Sequence, residues 1–367
     1  MNKLVGNLWI HDTYEHFNKG TLNSVTIANS SKGEITLEKN GYNYSEVGIY
    51  TSDIIITLPF QYLILSWNAD TPKGTALKIE AQVLVNKAEN LLWSKWHFFG
   101  SWSSEAERSS ASKSDNIDEL AYVDTDTLKV KGSSGETANA VRYRLTLTTS
   151  ELKVTPAVKL IAGTIRGCKA DEYLPSLYGC EGSPEVINLN KELKVPKFSQ
   201  MLRDPKIAGV ICSPTSITMI LNYYGLNLVP EETAFGVYDN VYDGFGNWPF
   251  NTAFAGAMGF KAYVVYCNSV NDLKREIYNG HPLAVSVKYK NSKEVDAKLP
   301  IIHGAPIIKT NGHLIVVCGF IKEDGTEYII VNDPAAASNE TVRLKYQLEE
   351  FDAAWNLSGK VAYIIHP

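Results

Sequence analysis

The sequence predicts a two-domain protein, an N-terminal all-β sandwich of jelly-roll type followed by a C-terminal α+β domain with an antiparallel sheet. Three observations carry that reading. The chain has 367 residues, and at roughly 150 per domain this favours two. Residues 1–165 read as one short strand after another, whereas beyond residue 195 the apolar periodicity becomes helical before strands return. Between them, residues 166–194 are broken by Gly, Pro, Asn and Asp, the composition of a linker leading into the second domain.

In the first part, residues 50–60, 62–69, 76–85, 91–99, 141–149 and 157–165 are runs rich in Val, Ile, Leu, Thr and aromatics. Turn chemistry separates them, as in Asp70-Thr71-Pro72-Lys73-Gly74, the Ser-rich patch from Ser101 to Ser114, and Gly132 to Gly135. Leu77, Ile79, Ala81 and Val83 alternate as a strand with one wet face does. No helix longer than two turns is expected there. In the second part, Ile217, Ile220, Leu221 and Tyr224 make the stripe of an amphipathic helix that starts at Cys212 and stops at Gly225. Residues 251–258 and 270–279 read as further helices, the latter closed by Gly280. Strands follow at 283–289, 313–320, 326–332 and 361–366, and helices before antiparallel strands are an α+β signature.

Composition narrows the function. Apolar residues make up 44% and charged residues 20%, as in an ordinary globular protein, and a net charge of −5 leaves no basic excess for nucleic acid. Apolar runs such as Leu314 to Cys318 are far too short to span a bilayer. The start of the chain lacks the apolar core of a signal peptide, which points to the cytoplasm; a removed signal would point instead to the cell surface or exterior. Five cysteines are too few and too odd for a disulfide framework, and only Cys168 and Cys180 make a plausible pair. Cys267 and Cys318 sit in apolar runs and read as core. The histidines show no metal-ligand spacing, so neither metal nor other cofactor is expected.

The chemistry gathers after residue 195. Cys212 stands at the mouth of a helix with Pro214 in its first turn, where a missing N–H costs nothing. Unpaired N–H groups and the helix dipole favour a thiolate there, so Cys212 is placed as a nucleophile. A nucleophilic thiol needs a base, and the base needs an orienting partner. His313, after Asn311-Gly312, is read as the start of a strand; Asp333 closes the next one. If these strands pair as a hairpin about Glu323-Asp324-Gly325, their far ends bring His313 and Asp333 together. His303 is a rival base without a strand start, and Asn332 a stand-in orienter. Gln200, 12 residues before Cys212, is placed to form an oxyanion hole with the Cys212 backbone N–H.

Gln200, the run C-S-P-T-S at 212–216, N-Y-Y-G at 222–225, G-H-L-I-V-V at 312–317 and V-N-D-P at 331–334 together resemble the papain-like cysteine peptidase family thirty-nine, in its stand-alone branch. The best-known members precede bacteriocin exporters and cut leader peptides after a double glycine; no exporter segments are present here. The resemblance spans roughly 195–367 and implies a papain-like fold acting on a peptide or protein. It also implies Cys212 as nucleophile, His313 as base, Asp333 as its orienter and Gln200 in the oxyanion hole. Ser213 stands where the family often has Gly. The first half resembles the β-sandwich that precedes such domains in some bacterial proteins.

Two alternatives stay open. One is acyl transfer by the same triad, as in transglutaminase- or phytochelatin-synthase-like enzymes. The other is a protein whose sandwich binds a glycan or peptide beside an inert peptidase domain. Trp67, Trp93, Trp96 and Trp102 are the aromatic face such binding would use, against the plainer reading that they are core. Tyr242 to Trp248 is Gly-rich without phosphate-loop spacing and is read as a loop lining the cleft.

Overall fold

The computed structural model describes residues 6–28, 33–87, 90–104, 108–112, 114–132, 135–167, 184–291 and 299–367. Cys168 and Cys180, the expected pair, lie outside the described residues. The chain is mostly β and forms two compact units, residues 1–174 with 238–264 and residues 175–237 with 265–367. Residues 238–264 thus pack with the first unit although the sequence runs them through the second domain.

The first unit holds two seven-stranded antiparallel sheets. One runs Ala121–Asp124, Thr127–Val130, Tyr62–Asp70, Ala157–Arg166, Glu34–Leu37, Val25–Ala28, with Leu8–His11 also on Ala157–Arg166. The other runs Asn90–Trp93, Thr75–Lys87, Thr137–Thr149, Val47–Thr51, Thr21–Asn23; His97–Trp102 and Ile55–Phe60 join its two long strands. Leu77, Ile79, Ala81 and Val83 are all fully buried, as the alternation implies, but the other face is not wet throughout, since Glu80 and Gln82 between them are buried too. Side chains of the two sheets meet: Trp9 stacks on Tyr143 at 5.6 Å between ring centroids. Gly163 permits that contact, because a Cβ there would lie 2.3 Å from the Trp9 indole.

Only two of the four tryptophans singled out could face a ligand. Trp67 and Trp102 are buried edge-to-face against one another and against Phe250. Trp93 and Trp96 are half-buried and stack on the guanidinium of Arg142, at 4.9 and 5.3 Å; that of Arg144 lies 4.4 Å from Trp96. Phe250 belongs to the helix Trp248–Ala257, which starts three residues earlier than the sequence pattern suggests. Asn247 caps it through Phe250 N–H, and Pro249 occupies its first turn. The Gly-rich loop before it is organised within this unit by the buried Asp239, which accepts from Ser110, Val241 and Tyr242 N–H and from Asn247 Nδ2 at 2.8–3.2 Å.

In the second unit, an antiparallel sheet runs Val361–His366, Leu283–Lys290, Lys309–Glu323, Thr326–Asn332, Arg343–Gln347, with Lys191–Glu192 on the central strand. Helices Cys212–Tyr223, Pro230–Val237, Val270–Asn279 and Leu348–Leu357 accompany it. Val270–Asn279 carries a Ser269/Asp272 capping box and ends at Gly280 with φ +91°. The strands Lys309–Glu323 and Thr326–Asn332 form the expected hairpin. Its two-residue turn places Asp324 and Gly325 at φ +47° and +83°, the left-handed pair that matches strand twist. Its ladder shifts by one residue between Val317 and Gly319, so Cys318 is bulged out of register.

His313 does not begin its strand. Pairing continues to Lys309 because Lys290 and Tyr289 lie opposite Lys309 and Thr310, so the polar stretch before His313 is held as strand by its neighbour.

Phe250→Ala removes a ring wedged between two buried indoles, and the loss is expected to cost about 3–5 kcal/mol. Equilibrium urea unfolding, followed by tryptophan fluorescence, measures it.

Candidate active site

Cys212 is the first residue of its helix, after Ile211, and its backbone N–H is one of the donors a helix start leaves unpaired. The helix is not amphipathic as expected: Ser213 to Leu221 are buried on every side. Most of its buried polar side chains find partners, Thr215 Oγ1 being the exception. Ser216 Oγ donates to Leu314 C=O at 3.2 Å, and Thr218 Oγ1 reaches both Pro214 C=O and Thr233. Ser213 Oγ and the Tyr363 hydroxyl lie 3.0 Å apart, giving that serine a buried partner in the last strand.

Helix, hairpin and following turn converge on His313. Its Nε2 lies 2.7 Å from Asp333 Oδ1, and the side chains of His313 and Asp333 are 3% and 1% exposed. The ring's other nitrogen is left over, and His313 and Cys212 are close enough for each to shift the other's pKa. Cys212 is partly exposed as a residue, while His313 and Asp333 are buried.

The electrostatics follow from this order. Burial pushes the Cys212 thiol up, but the His313 hydrogen bond and charge, with the Leu314 N–H, outweigh it and hold the thiol below its ordinary value. Burial pushes His313 down, yet the Asp333 carboxylate and the thiolate overcome it and raise the imidazole to about 10. Cys267 and Cys318 are the contrast: in each, burial outweighs a nearby cation, Lys360 and Arg343 respectively, raising Cys267 well above the ordinary thiol value and Cys318 to about 12.

Gln200 is 3% exposed and opens the turn Gln200–Leu202. Its backbone N–H donates to Pro334 C=O at 2.8 Å and its Nε2 to Ala208 C=O at 2.7 Å, tying the residue after Asp333 to the loop before Cys212. It makes no hydrogen bond to Cys212 or His313; one amide hydrogen is left over. His303 is exposed and pairs with Glu350, away from the thiol. Asn332 is committed elsewhere, donating to Pro196 C=O at 2.8 Å and accepting from Arg343 Nε at 2.6 Å. Two further donors to Asp333 were not singled out in the sequence: Ala335 N–H on Oδ1 at 3.0 Å and the Tyr346 hydroxyl on Oδ2 at 2.9 Å. The signal for the first is the Asp-Pro turn itself, while nothing local marks Tyr346. Among the described residues, no group of three or more His, Cys, Asp or Glu is arranged to hold a metal, and no helix is long and apolar enough to cross a membrane.

Residues 192–363 match the Peptidase C39-like family, and residues 7–165 match the Peptidase C39 N-terminal domain. The second part of the chain is thus a C39-like family domain, and the first its N-terminal companion domain. Among solved structures, it is similar to a C39-like peptidase from Bacillus anthracis, at 17% identity and TM-score 0.37, over 48% of this chain and 98% of that one. A double-glycine-motif protease from an AMS/PCAT transporter, bound to its leader peptide, is 21% identical at TM-score 0.28, over 49% and 96%. The CBM22-1–GH10 modules of a Clostridium thermocellum xylanase, in complex with xylohexaose, match at 16% identity and TM-score 0.23, over 43% of this chain and 28% of that one. No curated protein matches.

Asn332→Ala breaks buried hydrogen bonds and is expected to cost about 1–3 kcal/mol of stability. The pH dependence of Cys212 alkylation is expected to stay where it is, since Asn332 does not touch the imidazole. Thermal unfolding and an alkylation series on the same variant measure both.

Proposed function

We propose that this protein is a cysteine peptidase hydrolysing peptide bonds of a peptide or protein substrate through Cys212, His313 and Asp333, with Gln200 in the oxyanion hole. In this reading residues 195–367 carry a papain-like catalytic fold. Residues 1–165 are a jelly-roll-like accessory sandwich, and 166–194 join the two. The observation that supports the reading is His313, whose Nε2 holds a buried carboxylate at 2.7 Å while the same ring holds the Cys212 thiol below its ordinary value. A merely structural histidine has no need of the thiol, and a merely structural cysteine is not held below its ordinary pKa.

The Cys212 thiolate attacks the scissile carbonyl carbon and forms a carbon–sulfur bond, while the carbonyl π electrons move onto oxygen. The oxyanion is met by the Cys212 backbone N–H and the remaining amide hydrogen of Gln200. His313 then protonates the leaving amine, the carbon–nitrogen bond breaks, and an acyl-enzyme remains. Neutral His313 takes a proton from water, whose oxygen displaces the sulfur and releases the acid. Asp333 keeps Nε2 protonated throughout, so the nitrogen facing the sulfur is the one that exchanges protons.

The sign of the pH dependence follows. Because Cys212 is lowered, its alkylation rises at a pH below the ordinary thiol value of about 8.5. Because His313 is raised to about 10, turnover that needs imidazolium is lost as pH climbs through that value. Iodoacetamide labelling of the whole chain over a pH series, read site by site by mass spectrometry, is expected to find Cys212 far ahead of Cys267 and Cys318. In His313→Ala its rise moves to higher pH. On a peptide library, Cys212→Ala and His313→Ala are expected to abolish cleavage, and Gln200→Ala to lower kcat about 10²–10³-fold. Cys212 labelling no faster than the buried thiols, or cleavage surviving Cys212→Ala, sinks the reading.

A further inference from the structure

The Asp333 carboxylate is accounted for only in part by the triad. His313 uses Oδ1, which also accepts the Ala335 N–H at 3.0 Å. Oδ2 faces away from the imidazole and is met by one side chain, the Tyr346 hydroxyl, at 2.9 Å. Tyr346 is 1% exposed in the edge strand Arg343–Gln347, opposite Ile329 in the ladder, and is the one fully buried residue of that strand. A buried tyrosine at a sheet edge needs no carboxylate partner; its hydroxyl could reach a backbone carbonyl. Here it is aimed at the one oxygen of the triad that would otherwise lack a donor.

Resting on the reading of Cys212, His313 and Asp333 as the catalytic row, we propose that Tyr346 is a positioning residue of that row, fixing Asp333 through Oδ2 and drawing off part of its charge.

On the acid limb, where His313 already carries its proton, both effects act on Cys212 in one direction. A carboxylate held at both oxygens cannot turn about its Cβ–Cγ bond, so the imidazole plane and its contact with the sulfur stay fixed. The hydroxyl dipole also dilutes the negative charge on Asp333, which opposes a thiolate at Cys212. Removing the hydroxyl loosens the ring and strengthens that opposition, so the thiolate is harder to form. The titratable groups facing Asp333 are His313, Cys212, Tyr346 and Tyr289. Tyr289, from the strand Leu283–Lys290, feels the carboxylate but makes no hydrogen bond to it, which makes it the internal control.

The test is Cys212 alkylation by iodoacetamide against pH in the whole chain, for wild type, Tyr346→Phe and Tyr289→Phe, with thermal unfolding of each. In wild type Cys212 must label ahead of Cys267 and Cys318; if it does not, the catalytic reading itself has failed, and the variants are not needed to show it. With that established, Tyr346→Phe is expected to move the acid limb up by about half to one pH unit, a fall of roughly threefold to tenfold in labelling rate below the limb. Tyr289→Phe is expected to leave the limb in place. A Tyr346→Phe protein that melts earlier but keeps the wild-type limb overturns the proposal, because a packing role alone then explains the residue. Should Tyr346→Phe not fold, 3-fluorotyrosine at position 346, a stronger donor of nearly the same shape, is expected to move the limb to lower pH. An unmoved limb in that protein overturns the proposal equally.

Discussion

The second unit is arranged around a carboxylate that has been taken out of water. Burying a lone ionised aspartate costs several kcal/mol, and the cost is met only where good donors surround it. Asp333 has three, from His313, Ala335 and Tyr346, which belong to the central strand, to the turn after the hairpin and to an edge strand. Each of those elements must be in place for the charge to be tolerated, so the same group that orients the imidazole also selects the arrangement of the sheet. The thiol then inherits its chemistry at one remove. Asp333 raises the His313 imidazole, and His313 holds the Cys212 thiol below its ordinary value against the pull of burial.

Much of this was legible. The tight turn at Asp324-Gly325, two alternating apolar runs and a histidine and aspartate at their outer ends were enough to bring the pair together on paper. The helix mouth at Cys212 was equally plain. Errors arose where tertiary context overrules local pattern. The polar stretch before His313 reads as a turn but is strand, since a neighbouring strand offers it hydrogen bonds. The nucleophile helix reads as amphipathic because Ser213, Thr215, Ser216 and Thr218 count as polar, yet all four are buried in its interior setting.

Other features had no local signal at all. Tyr346 reaches Asp333 from 13 residues away through strand pairing, and an aromatic in an edge strand carries no mark of what its hydroxyl will meet. Residues 238–264 pass unbroken between stretches of the second unit and still pack with the first. What commits them is a set of long-range contacts, Phe250 against Trp67 and Trp102, and Asn68 paired with the backbone of Ala262. Contacts of that kind are absent from any window of sequence. The tryptophans illustrate the same limit, two being core and two stacked on arginines, although all four lie in similar strand-like runs.

The bulge at Cys318 makes the meeting of His313 and Asp333 a matter of parity. Along a strand successive side chains alternate faces, and residues directly opposite one another share a face. With Val316 opposite Asn332, continuing that register puts Asp333 opposite Ile315, on the face that His313 also takes. Were Cys318 paired in the ladder rather than bulged, Val316 would stand opposite Asp333 instead, and His313 would point to the other side of the hairpin. A buried thiol that takes no part in the row thus serves it by standing outside the ladder, because skipping that one residue leaves the imidazole and the carboxylate on one face.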